Sequence, residues 1–314
     1  MSLVFVTGAT GQIGVPLVQA LVQAGHRVRG LCRTEEAEAR LKALGVEPIR
    51  GDLRDTVALE VGLKEVEVVY HLAGGLRGKG AESAWKLNRE GTAALVAAAH
   101  GKALKSLVFA STCAVYGDRN GLWVGEDYPP SPHTDYGKSK VEAENLLLSS
   151  GHPVKIARIG VVYGRGFRVL MEDAHKKGRA WLPGEGLNFL PWVHIDDVVG
   201  ALQRIAEQGQ AGGIYHVVGR STPSLKEFYK EVAKKVGTKP VRFWSTWVPS
   251  ALQFRLAETN EKLAVPLNRK PRFTPDNLRL WTSGVRMRSE RLEKELGYVW
   301  RFGDYKEGLA ESLS

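Results

Sequence analysis

Leu3-Val4-Phe5-Val6-Thr7-Gly8-Ala9-Thr10-Gly11-Gln12-Ile13-Gly14 is the stretch whose reading decides the fold. Leu3 to Val6 is a short continuous apolar run, the pattern of a strand buried on both faces. A glycine turn breaks it, and from Ile13 to Ala24 the apolar residues recur at helical spacing. Strand, turn and helix in that order aim backbone N–H groups and the positive end of a helix at one point, which suits a pyrophosphate. The spacing is Gly8-x-x-Gly11-x-x-Gly14 rather than G-x-G-x-x-G. Three glycines can still give a tight turn, close phosphate approach and close helix–strand packing. A bare glycine triplet is often only a turn; its place between an N-terminal strand and a helix points to nucleotide binding. Gly8, Thr10, Gly11, Gln12 and Ile13 are the expected contacts.

Working outward, strands and helices alternate through the first half, the sign of a doubly wound parallel sheet of the Rossmann type. Strands are expected at Arg27 to Cys32, Val46 to Arg50, Val66 to His71, Ser106 to Ala110 and Val154 to Arg158. Helices are expected at Glu35 to Leu44, Ala84 to Ala99 and Tyr136 to Leu148, the last after the loop Pro129-Pro130-Ser131-Pro132. Beyond Gly160 the alternation weakens, though Asp196 to Glu207 and Leu225 to Val236 read as helices with a strand at Tyr215 to Val218 between them. Residues 1–160 are thus expected to form an α/β nucleotide-binding domain, to which 190–218 return. A smaller substrate-binding region would come from 161–189 and 219–314.

Bulk properties exclude several classes. With 314 residues, 43% hydrophobic and 25% charged, the composition is ordinary globular. No run of 18 apolar residues predicts membrane insertion, and a strand from Leu3 leaves no room for a signal peptide. Cys32 and Cys113 alone make no disulfide framework, so a cytoplasmic protein is expected. The net charge of +10 is spread along predicted helices, as at Lys226, Lys230, Lys234 and Lys235, which reads as a solvated surface rather than a nucleic-acid footprint. No metal-ligand set is expected.

The end of the second strand bears on the cofactor. An acidic residue there would bind the adenosine ribose, whereas arginine accommodates a 2′-phosphate. Cys32 is followed by Arg33, with no carboxylate until Glu35. NADP(H) is therefore favoured, with NAD(H) as the alternative. The bland reading makes Arg33 only the exposed start of the next helix.

The chemistry is expected at Tyr136 and Lys140, four apart on one helix face at the carboxyl edge of the sheet. A tyrosine that acts as a base near neutrality must drop roughly three pKa units, about 4 kcal/mol. One ammonium about 4 Å away, at an effective dielectric near 20, supplies energy of that order. Ser111-Thr112 closes the fifth strand, and the Thr112 hydroxyl can donate to a substrate oxygen that changes charge during hydride transfer. Its competing reading is a cap on the strand end.

These stretches resemble the extended short-chain dehydrogenase/reductase superfamily, in its NAD-dependent epimerase/dehydratase group. The carriers are Thr7 to Gly14, Gly51-Asp52-Leu53, His71-Leu72-Ala73-Gly74, Asn88 with Gly91-Thr92, Ser111-Thr112 with Val115-Tyr116-Gly117, Tyr136-Gly137-Lys138-Ser139-Lys140, and Val193-His194-Ile195-Asp196-Asp197. The resemblance implies that Tyr136 is the general acid/base, that Lys140 holds the nicotinamide ribose and that Thr112 binds the substrate oxygen. It also implies that Asp52 and Leu53 line the adenine and that Ala73 and Gly74 pass close to the cofactor. Asn88 would tie its helix to a neighbouring strand, and His194 would be structural. A homodimer through the helices at Ala84–Ala99 and Tyr136–Leu148 is a further implication.

Departures from the family pattern narrow the reaction. Where sugar-nucleotide dehydratases carry an Asp-Glu pair after the threonine, this chain has Cys113 and Ala114, which speaks against water elimination. Val161 and Leu190 stand where epimerases place groups that face a diphosphate. The segment Gly184 to Trp192 looks more like the branch of 3β-hydroxysteroid dehydrogenases and dihydroflavonol reductases. Six of the eight tryptophans fall between Trp181 and Trp300, as in a less charged cleft. Trp181, Asn188 and Trp192 are the expected substrate contacts; Arg165, Arg168, Lys176, Lys177 and Arg179 read as a solvated basic face. The expected function is an NAD(P)-dependent oxidoreductase that interconverts a secondary alcohol and a carbonyl on a small-molecule substrate. The alternatives are a nucleotide-sugar 4-epimerase with tightly held NAD, and a nucleotide sensor without turnover.

Overall fold

In the computed structural model, residues 1–75, 84–167, 181–239, 241–243, 248–264 and 274–313 are described. The opening stretch forms β1 (Leu3–Thr7), a turn and α1 (Gly14–Gln23). Then follow β2 (Arg27–Cys32), α2 (Glu35–Ala43), β3 (Glu47–Arg50), α3 (Thr56–Gly62), β4 (Val68–His71), α4 (Ala84–Ala99) and β5 (Ser106–Thr112). After one 3-10 turn at Cys113–Tyr116 come β6 (Trp123–Val124), α5 (Asp135–Leu148), β7 (Val154–Ile159), β8 (Val161–Tyr163), β9 (Trp181–Leu182), β10 (Trp192–His194) and α6 (Ile195–Gln208). The chain ends with β11 (Ile214–Val217), α7 (Leu225–Val236), β12 (Arg242–Phe243), α8 (Ser250–Ala264), α9 (Pro275–Thr282), β13 (Arg286–Met287), α10 (Glu290–Lys294) and α11 (Tyr305–Leu313).

Seven strands form one sheet in the order β11-β7-β5-β4-β1-β2-β3, with every neighbouring pair parallel. Strand order reverses between β1 and β4, and such a reversal opens a crevice at the carboxyl ends of the strands. Alternating side chains of β1 supply both layers. Val4 and Val6 face a core built with α1 and α6, while Phe5 faces a second core with α3, α4 and α5. Burial on both faces explains why these strands read as apolar runs.

Element boundaries shift by one or two residues from expectation, with two differences that matter. β5 runs on to Thr112, which places the catalytic candidate on the strand itself. The helix α3 was not anticipated, because seven residues carry too little periodicity to stand out. Its signal was Asp55, whose carboxylate accepts from Ala58 N at 3.1 Å as the N-cap. Outside the main sheet, β8–β10, β9–β12 and β6–β13 are small parallel pairs. A third core lies there, where Tyr163, Trp192, Phe228 and Leu309 are buried together.

Candidate active site

The nucleotide end is shaped by backbone proximity. Gly8 has φ +75°, and a Cβ on it would lie 2.7 Å from Ala73 N; only glycine lets the end of β1 meet the turn after β4. A Cβ on Gly14 would lie 2.0 Å from the Gly8 carbonyl, so α1 starts hard against that turn. The helices α2, α3 and α5 begin with side-chain caps from Thr34, Asp55 and Thr134, whereas no side chain caps α1 at Ile13. Val15 N donates to Gly11 O at 3.0 Å and Pro16 carries no N–H, so what this uncapped end offers an anion is chiefly the positive end of the helix dipole. Thr10 is half-buried, Gly11 and Gln12 are exposed, and the Gln12 amide donates to Gly166 O at 3.1 Å.

A buried relay fixes the turn after β4. Ala73 N donates to Thr7 Oγ1, which pairs with His71 Nδ1 at 2.7 Å; His71 Nε2 pairs with Thr92 Oγ1 at 3.0 Å, and Thr92 donates to Asn88 O. That last donation spends the Thr92 proton, so His71 Nε2 carries hydrogen and Nδ1 accepts from Thr7. Burial holds the His71 pKa down to about 3, which keeps this neutral tautomer. Asn88 accepts from Gly75 N at 2.8 Å and donates to Ser139 Oγ at 2.9 Å, so it ties α4 to a loop and to α5 rather than to a strand. A Cβ on Gly74 would come 3.1 Å from Lys140 Nζ and 3.2 Å from Asn88 Oδ1. That is a polar hollow kept open by the missing side chain. Uncapped helix and hollow together fit a dinucleotide.

At the far end, Gly51 N donates to Cys32 O and brings Asp52 beside Arg33. Arg33 is exposed, with Nη1 4.0 Å from Asp52 Oδ2, while Asp52 accepts from Arg54 N and Arg54 Nε at 3.2 and 3.3 Å. Leu53 packs against Gly91, where a Cβ would lie 2.3 Å from Leu53 Cδ2.

Thr112, Tyr136 and Lys140 come together at the carboxyl end of β5. Thr112 Oγ1 accepts from Ala114 N at 3.2 Å as a cap, and its side chain lies beside the Tyr136 phenol, whose charged form it favours. A Cβ on Gly137 would lie 2.6 Å from Ala114 O, so the first turn of α5 is pressed onto the turn that follows Thr112. Lys140 is 5% exposed, and its Nζ donates to Ala110 O at 2.9 Å, 4.5 Å above the Phe109 ring.

The electrostatics differ from the sequence argument. Burial pushes Tyr136 up to about 12, opposed by the Thr112 side chain and reinforced by Cys113. Burial brings Lys140 down to about 8, opposed by Glu144. The ammonium is aimed at Ala110 O and does not lower the phenol. Tyr136 in this state is a neutral phenol.

Beneath these residues runs a buried charge network that sequence reasoning missed. Arg158, 2% exposed, donates from Nε and Nη2 to the two carboxylate oxygens of Glu144 at 3.1 and 2.7 Å, and from Nη1 to Tyr116 OH at 2.7 Å. His216 Nδ1 faces the Arg288 carbonyl at 3.0 Å, so it carries hydrogen and Nε2 accepts from Tyr116 OH at 2.6 Å. Ser111 donates to Glu144. The available signal was Glu144 one helical turn beyond Lys140, on the same face.

The substrate candidates divide. Asn188 donates to Trp281 O and Ser283 O at 3.1 and 2.9 Å, which anchors α9. Trp192 is 4% exposed with its ring stacked on Phe228 at 3.5 Å; that is a packing role, and burial is the reason it does not present a face to a cleft. Trp181 opens β9. Its side chain, like Arg168, Lys176, Lys177 and Arg179, lies outside the described residues. Arg165 is exposed and paired with Glu311. Among the described residues no His, Cys, Asp or Glu group is placed to hold a metal ion, and no helix is long and apolar enough to cross a membrane.

Three comparisons bear on this geometry. A ketoreductase of 4-hydroxy-2-methyl-3-oxo-4-farnesyl-3,4-dihydroquinoline-1-oxide from Stigmatella aurantiaca is 29% identical over 97% of this chain and 94% of its own. Sterol demethylase protein B of Methylococcus capsulatus is 29% identical over 94% and 92%. The solved structure of MoeE5 with UDP-glucose and NAD superposes with a TM-score of 0.76, at 25% identity over 99% and 97%. Residues 4–218 match the family model described as NAD dependent epimerase/dehydratase family. The chain belongs to that family, as an NAD-dependent oxidoreductase of the extended short-chain dehydrogenase/reductase superfamily.

Proposed function

We propose that this enzyme interconverts a secondary alcohol and a carbonyl on a small, largely apolar substrate, with NADP(H) preferred over NAD(H). The observation that carries the reading is the constellation of half-buried Thr112 and Tyr136 with buried Lys140 beside the Gly74 hollow. Gly8, Thr10, Gly11, Gln12 and Ile13 would hold the pyrophosphate, Asp52 and Leu53 the adenosine, Arg33 a 2′-phosphate, and Ala73, Gly74, Tyr136 and Lys140 the nicotinamide end. Bound there, the nicotinamide supplies or accepts the hydride. The hydroxyls of Thr112 and Tyr136 converge on one substrate oxygen. Tyr136, a phenol at neutral pH, gives that oxygen its proton in reduction and takes one back in oxidation. Lys140 holds positive charge beside Gly74, next to the proposed ribose site.

Cys113 and Ala114 put no carboxylate after Thr112, so the site lacks the acid–base pair that water elimination needs. The two relatives named for a farnesylated ketone and a sterol support an apolar substrate. The second reading, a nucleotide-sugar 4-epimerase with tightly held NAD, draws on the likeness to MoeE5 with UDP-glucose. Half-buried Val161 and fully buried Leu190 offer a diphosphate no polar partner, which weighs against it. A two-part organisation, with 1–160 and 190–218 on the nucleotide and 161–189 and 219–314 on the substrate, belongs to the proposal. So do a cytoplasmic location and a homodimer through α4 and α5.

The test is to denature the purified protein, identify any released nucleotide, and titrate the stripped protein with NADPH and NADH. Reversible binding that favours NADPH supports the reductase reading. Stoichiometric NAD(H) retained through purification supports the epimerase.

A further inference from the structure

The first turn of α5, which carries Tyr136, is held from a distant part of the chain. Thr134 caps Gly137 N at 3.1 Å in the ordinary way. The start of the helix faces Asp276 of α9: Asp135 N donates to its carboxylate at 3.1 and 3.3 Å, and the neighbouring Tyr136 N–H favours the charged carboxylate. A carboxylate is favoured at a helix N-terminus by the exposed N–H groups and the helix dipole. Around it stand Asp135, which repels it, and Arg279 with Nη1 at 3.9 Å.

The other end of α9 is fastened to the same neighbourhood. Ser283 Oγ donates to Arg279 O and so accepts from His133 Nε2 at 2.8 Å, three residues before Tyr136. Gly284 N donates to Asp118 Oδ1 at 3.0 Å, and Asn188 holds the Trp281 and Ser283 carbonyls. The strap of residues 276–284 therefore links the loop after Thr112, the loop at Asn188 and the start of the catalytic helix. The rest of α5 has its own ties, through Asn88 to Ser139, Lys140 to Ala110 O, and Glu144 to Arg158. Among the described residues, the hydrogen bond from α9 falls on its first turn.

We propose that Asp276 is a positioning residue for Tyr136: by holding the Asp135 N–H at the start of α5, it makes the pose of the phenol depend on the seating of α9 against the substrate region. This rests on reading Tyr136 as the proton donor. A group misplaced by an ångström far from the chemistry can cost a large factor in rate.

The test compares wild type with Asp276→Ala, Asp276→Asn and Tyr136→Phe by two readouts. The first is amide hydrogen exchange over residues 134–140, which needs no substrate. Asp276→Ala is expected to speed exchange at Asp135 and Tyr136 about tenfold and to leave Ser139 onward unchanged, because a local opening frees only its own amides. The second is steady-state kinetics with NADPH and ethyl acetoacetate or acetophenone as ketone probes. There kcat is expected to fall roughly tenfold with the KM for NADPH within about twofold of wild type, as for a lost positioning contact. Asp276→Asn keeps one acceptor oxygen and is expected to retain most of both. Unchanged exchange, or an opened turn with unchanged kcat, overturns the proposal. A silent Asp276→Ala beside a dead Tyr136→Phe sinks Asp276 alone, whereas a fully active Tyr136→Phe sinks the reading it rests on. If neither probe is turned over, the exchange result decides.

Discussion

The two halves of the molecule are stabilised in different ways. Around the main sheet, seven strands bury alternate residues on two faces, and the flanking helices α2, α3 and α5 start with short polar caps. Outside the main sheet, strands shrink to two or three residues, and order comes from aromatic packing such as Trp192 on Phe228 and Tyr163 edge-on to both. The first kind of order is written in periodicity over neighbouring residues. The second depends on which distant rings meet. Between the two lies the buried Glu144–Arg158 pair, whose partners Tyr116 and His216 reach from the 3-10 turn to β11.

Breaking that junction should have the largest effect. Arg158→Met removes both guanidinium hydrogen bonds of the buried Glu144 carboxylate, which keeps the Ser111 hydroxyl as its hydrogen-bond partner, and is expected to cost about 3–5 kcal/mol in chemical denaturation, the usual penalty for orphaning one partner of a buried ion pair. The double variant Arg158→Met/Glu144→Met should regain much of that loss; if it is no more stable than the single one, the orphaned charge is not the cause.

Next comes Trp192. Trp192→Phe should lower stability by about 1–2 kcal/mol through the lost stacking volume, with KM for substrate unchanged. A raised KM at unchanged stability would restore Trp192 to the cleft and blur the contrast between the two halves.

How much was legible in the sequence follows the same divide. The continuous apolar run at Leu3–Val6 and the glycines at 8, 11 and 14 were enough to place β1, α1 and the crevice, because burial on both faces and close backbone contact leave few residue types possible. Thr112, Tyr136 and Lys140 could be named from position on strand and helix, and the structure brings them together. Glu144 was hidden because a glutamate in a mixed-charge helix looks like a surface residue until Arg158 is placed opposite it. Asn188 and Trp192 were named for a cleft by composition, whereas their partners, Trp281, Ser283 and Phe228, lie 36 to 95 residues away. Nor did the sequence show that burial would outweigh Lys140 at Tyr136.

The smallest expected effect concerns cofactor choice. Arg33 is exposed and only loosely paired with Asp52, so it is free to turn towards a 2′-phosphate. Arg33→Ala should cut the preference for NADPH over NADH about tenfold, roughly 1.4 kcal/mol, by direct titration of both nucleotides. An unchanged ratio would make Arg33 no more than the residue before the cap of α2.

The most direct test of the account is Tyr136→Phe, which removes the phenolic proton and little else. With NADPH affinity measured beside turnover, kcat is expected to fall at least about 100-fold while the nucleotide dissociation constant stays within about threefold, as for a lost acid–base group at an intact site. Turnover within about threefold of wild type would contradict the assignment of Tyr136 as the proton donor.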